Sequence, residues 1–62
     1  MVIILKENPN KEQLQSLRNW ITDKGLQIHE SKGMHQTIWG LVGDTTQVDI
    51  DLISALDIVE NV

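Results

Sequence analysis

An α+β fold of order β-α-β-β-α-β follows from a few features of this 62-residue chain. A β-branched and aliphatic run opens it, one amphipathic helical pattern follows, and Leu26 to Asp44 reads as two strands joined by a tight turn. A shorter helical pattern and a closing apolar run complete the order.

Val2–Lys6 is apolar without alternation, the pattern of a central strand covered on both faces. Glu7-Asn8-Pro9-Asn10 breaks the chain, and Asn10 is placed as an N-cap with Gln13 three residues on. Leu14, Leu17 and Ile21 recur at helical spacing with Trp20 beside them, and Lys24-Gly25 is a helix end. A first helix over Lys11–Lys24 results. Leu26–Ser31 alternates, with Leu26, Ile28 and Glu30 on one face and Gln27, His29 and Ser31 on the other. Lys32-Gly33-Met34-His35 makes the connection, Gly33 supplying a positive φ if the turn needs one. The next strand, Gln36–Gly43, sets Ile38, Gly40 and Val42 against Thr37, Trp39 and Leu41. Asp44-Thr45-Thr46 caps a second helix over Gln47–Leu56, with Val48, Leu52, Ala55 and Leu56 as its apolar stripe and Asp49 and Asp51 near its positive end. Ile58–Val62 is the last strand, or a frayed remnant of one.

With right-handed crossovers this order is the split βαβ, or ferredoxin-like, sandwich: a four-stranded antiparallel sheet with both helices on one face. The Ile38/Gly40/Val42 set is expected under the helices, because glycine lets a helix approach closely. Trp39, Leu41 and Thr37 then share the open face with His29 and Ser31, and with one apolar set of the first strand, Val2/Ile4 or Ile3/Leu5. Such a patch is rarely left to water, so another subunit or domain is expected to cover it, with Trp39 and Leu41 as interface residues. The plainer alternative leaves Trp39 at the surface of a small domain.

Size and charge exclude a good deal. The chain is one small domain, residues 1–62, for which the per-residue rule gives roughly 3–9 kcal/mol of net stability. It has no Cys, so neither disulfides nor thiolate metal sites are available. It also has no Phe or Tyr, so aliphatic side chains must fill most of the core around Trp20 and Trp39. Five basic residues against nine acids give a net charge of −4 without a basic stripe, which argues against nucleic acid. The opening apolar run is too short for a signal or a membrane span, so a cytoplasmic protein without membrane attachment is expected.

No catalytic constellation is legible. His29 and His35 fit no zinc spacing and no paired carboxylates complete a site, so no metal or cofactor is expected. Ser31 lacks a triad, Gly40-Leu41-Val42-Gly43 lacks the spacing of a phosphate loop, and the acids from Asp44 to Asp57 follow no calcium-loop pattern. His29 reads either as a solvated strand residue or as a ligand or partner contact beside Ser31 and an apolar patch. An RNA-binding module of the same fold would stack bases on paired aromatics over a basic surface, which this chain lacks.

The opening MVIILK, the segment HESKG…TIWGLVGD and the closing LDIVENV resemble the N-terminal ferredoxin-like regulatory domain of one class of 3-deoxy-D-arabino-heptulosonate 7-phosphate (DAHP) synthases. The resemblance covers essentially the whole chain. It is most specific at His29, Ser31-Lys32-Gly33 and Gly40…Gly43-Asp44. It implies an ACT-like domain that precedes a catalytic (β/α)8 barrel, which this chain does not contain. In that family the barrel condenses phosphoenolpyruvate with erythrose 4-phosphate, the first step of aromatic amino acid biosynthesis. The resemblance further implies feedback control by tyrosine or phenylalanine bound where two such domains meet, with His29 and Ser31 as effector-binding residues. Its partners would be that effector, a second copy of the domain and the barrel, and the domain itself would not be an enzyme. A ligand-independent oligomerisation or domain-packing module is the competing expectation.

Overall fold

The computed structural model describes every residue from Met1 to Val62. Strands β1 (Val2–Leu5), β2 (Gln27–Lys32), β3 (Thr37–Val42) and β4 (Val59–Asn61) form one sheet of order β2-β3-β1-β4. Every neighbouring pair is antiparallel. Helices α1 (Lys11–Asp23) and α2 (Ile50–Ser54) make the β1-to-β2 and β3-to-β4 connections. This is the ferredoxin-like sandwich. β4 is short and its register on β1 shifts between Ile4 and Leu5, yet it is paired rather than frayed.

Local chemistry sets the boundaries of α1. Asn10 Oδ1 accepts from the backbone N–H groups of Glu12 and Gln13 at 2.9 and 3.0 Å, satisfying donors that the first turn leaves free. At the other end Lys24 is the C-cap and Gly25 takes φ +82°, a conformation costly for a side chain with a Cβ.

One core lies between the helices and the sheet. Leu17 and Ile21 of α1 and Ile53 of α2 pack with Ile3, Leu5, Trp39, Leu41 and Val59 from the inner face. Here β3 reverses the sequence expectation. Trp39 and Leu41 are buried, at 0% and 6% exposure, while Ile38 and Val42 stand outward at 38% and 50%. The interface role expected of Trp39 and Leu41 is therefore corrected: they belong to the core. The cause is volume. Beneath α1 and the short α2, in a chain with no Phe or Tyr, an inward Gly40 would leave a void that an inward indole fills.

The second helix is shorter than the expected Gln47–Leu56. Asp44 caps a single 3-10 turn, Thr45–Gln47, accepting from the Thr46 N–H at 3.0 Å. Val48 then extends into the core, and Asp49, itself extended, starts α2 by accepting from the Leu52 N–H at 3.1 Å. Each aspartate competes for backbone donors and restarts the chain, so one helix becomes two pieces. The buried residues are Val48 and Ile53, whereas Leu52, Ala55 and Leu56 of the expected stripe are exposed. Gly33 adopts no positive φ; its N–H closes the hairpin onto the Gln36 carbonyl at 2.7 Å.

Candidate functional site on the open face of the sheet

Directly opposed residues of an antiparallel pair share a face, so the register defines the uncovered side. His29 faces Gly40, which in turn faces Val2. Ser31 faces Ile38, Ile38 faces Ile4, and Gln27 faces Val42. The result is an apolar floor of Val2, Ile4, Ile38 and Val42 flanked along β2 by His29 and Ser31. Both polar residues are exposed, and neither enters any of the chain's side-chain hydrogen bonds. The structure thus keeps His29 and Ser31 on the open face as expected, but brings them beside Ile38, Gly40 and Val42 rather than Trp39 and Leu41.

Gly40 forms a shallow gap at the middle of this face. Its φ is not positive, and a Cβ built there would meet only His29, at ordinary contact distances of 3.8 and 3.9 Å. Neither the backbone conformation nor internal packing asks for glycine, although a glycine inside a strand weakens it.

On the inner side, directly opposite Trp39, sits Glu30. Its Oε2 accepts from the Trp39 indole N–H at 2.9 Å and from the Arg18 guanidinium at 3.0 Å. Arg18 also lies over the indole ring, 4.7 Å from its centroid. The indole N–H bond holds the Glu30 carboxyl below its ordinary pKa against the opposing effect of partial burial, and Arg18 and Lys32 add to the lowering. Asp44 is lowered too, by the Thr46 hydroxyl and backbone N–H. Sequence reasoning placed Glu30 inward but missed its role. An acid in the apolar register of β2, in a chain with a single Arg, was the available signal. No group of three His, Asp or Glu side chains comes together anywhere. No helix is long and apolar enough to cross a membrane.

The profile of the DAHP synthase ferredoxin-like domain family matches residues 1–62. The chain belongs to this family. Over all 62 residues it is 32% identical to the phospho-2-dehydro-3-deoxyheptonate aldolase of Thermotoga maritima, of which it covers 18%. The crystal structure of a Thermotoga maritima DAHP synthase superposes with a TM-score of 0.80 at 30% identity, over 97% of this chain and 18% of that one. The chain thus spans less than a fifth of the length of these DAHP synthase relatives.

Proposed function

We propose that this domain is a regulatory unit of a DAHP synthase whose open face pairs with a second copy and holds tyrosine or phenylalanine. The effector would control a catalytic barrel in feedback inhibition, while the domain itself takes no part in the chemistry. The observation that carries this reading is Gly40. A glycine that nothing inside the chain requires lies at the centre of the exposed face, between His29 and an apolar floor. Such a gap suits a flat ring, with His29 and Ser31 in place to hydrogen-bond the amino and carboxylate groups. Val2 and Val42 are each half-exposed on the same floor, as expected of a surface that a partner covers. The effector shifts pairing only by binding the paired state more tightly, a coupling typically worth about 1–3 kcal/mol.

The test is an amide NMR titration of the 62-residue chain with tyrosine, phenylalanine and tryptophan, with diffusion measured in the same samples. Saturable shifts on β2 and β3, accompanied by slower diffusion, are expected, and His29→Ala with Ser31→Ala should abolish both. Oligomerisation that ignores all three amino acids would instead establish a ligand-independent packing module. The same double variant in a full-length synthase should lose feedback inhibition and keep uninhibited turnover.

A further inference from the structure

Four of the chain's five basic residues line one cleft, between the β1–α1 loop and the β2–β3 hairpin. It measures about 610 Å³ and lies at the end of the sheet, and neither Gly40 nor its cross-strand partners His29 and Val2 line it. Lys6, Lys11, Arg18 and Lys32 face only Glu7 and Glu30 there, which leaves a formal +2 in a chain whose net charge is −4.

The four cations are not equally engaged. Arg18 is held by Glu30 at 3.0 Å, while Lys32 approaches the other oxygen of the same carboxylate only to 3.8 Å. Glu7 lies 4.0 Å from His35. Lys6 and Lys11 have no carboxylate within ion-pair distance. Lys11 is also the first residue of α1, where a positive charge opposes the helix dipole. Folding therefore gains nothing from a cation at that position, and the two uncommitted ammonium groups stand on either side of the β1–α1 loop.

We propose that this cleft binds a phosphate-class dianion, either free or as the phosphoryl group of a small metabolite. Lysine ammonium groups are compact point charges suited to phosphate. The formal excess of +2 matches a group carrying about −1.5 to −2 at pH 7. Lys6 and Lys11 supply the primary charge, and Lys32 turns from its long contact with Glu30 towards the anion. Arg18 stays with Glu30 and Trp39.

The experiment is an amide NMR titration of the chain with inorganic phosphate, a hexose phosphate and succinate, at ionic strength held constant with sodium chloride. Saturable phosphate shifts at residues 6–11 and 32–37 are expected, with affinity at least about tenfold weaker in the Lys6→Gln/Lys11→Gln variant. Both substitutions are at exposed positions, and circular dichroism checks the fold. Tighter binding of the hexose phosphate identifies a metabolite as the source, and equal binding identifies the free anion. Shifts no larger than sodium chloride produces, equal affinity for succinate, or unchanged affinity in the double variant would each overturn the assignment.

Discussion

Replacing Glu30 by alanine should destabilise the domain by about 1–3 kcal/mol, the usual cost of leaving a buried donor without its acceptor. Trp39 is wholly inaccessible, and Glu30 Oε2 accepts from its indole N–H at 2.9 Å. Arg18 adds little to the loss, since its side chain is 35% exposed and rehydrates when its partner goes, so that pair is worth roughly 0–1 kcal/mol. Against a total of roughly 3–9 kcal/mol, the substitution removes a substantial share of the stability. Urea unfolding followed by circular dichroism measures it. The decisive control is Trp39→Phe, which deletes the donor: after it, Glu30→Ala should cost at least about 0.5 kcal/mol less than in the native chain. Equal costs in the two backgrounds would show that the indole–carboxylate bond contributes nothing. The pH dependence carries the same signature. The folded carboxyl titrates below its ordinary value, so its contribution is complete above about pH 4.3, the unfolded glutamate value. That contribution is then lost as pH falls through the lowered folded value. Glu30→Gln, which keeps an acceptor but no charge, should lack this acid-dependent contribution.

Asn10→Ala removes the acceptor for two N–H groups of α1 and should cost about 1 kcal/mol by chemical denaturation. Gly43→Ala should cost about 1–3 kcal/mol, because φ is +127° there and the new Cβ would lie 2.8 Å from Leu26 Cδ2. Gly40→Ala should act in the opposite sense, raising stability by about 0.5–1 kcal/mol while weakening retention of an aromatic amino acid. A Gly40→Ala chain that binds the effector as well as the native one would remove the gap from the proposed site.

Much of the fold is legible because its signals are local. Asn10, Gly25 and the Leu14/Leu17/Ile21 spacing mark α1 without reference to anything distant, and the α1 ends agree with the sequence to within a residue. The alternation in β2 likewise places His29 and Ser31 opposite Ile28 and Glu30. Apart from Thr37 at its start, both sets of residues in β3 are apolar, so alternation alone does not orient that strand. What orients it is non-local: the core volume beneath α1 and the short α2, and a carboxylate on the neighbouring strand able to satisfy a buried indole. The split of the second helix depends on a similar competition, with Asp49 taking the Leu52 N–H while Val48 fills the core. The candidate site was accordingly half legible. Its polar side was readable from β2, whereas its floor awaited the register between β3 and β1.

The burial of Trp39 has an optical consequence. A chain without Tyr or Phe has two aromatic chromophores, and they occupy different surroundings. Trp20 is half-buried against the edge of the core with the Lys24 ammonium 4.4 Å from its ring centroid, while Trp39 sits on the inner side of the sheet. Trp20→Leu would leave Trp39 as the sole emitter, one sheet's thickness beneath Gly40 and its neighbours. Tyrosine bound on the outer face would then be the only other fluorophore in the complex. Energy transfer from that tyrosine's phenol to the core indole would give a direct reading of occupancy of the proposed site, free of any attached label.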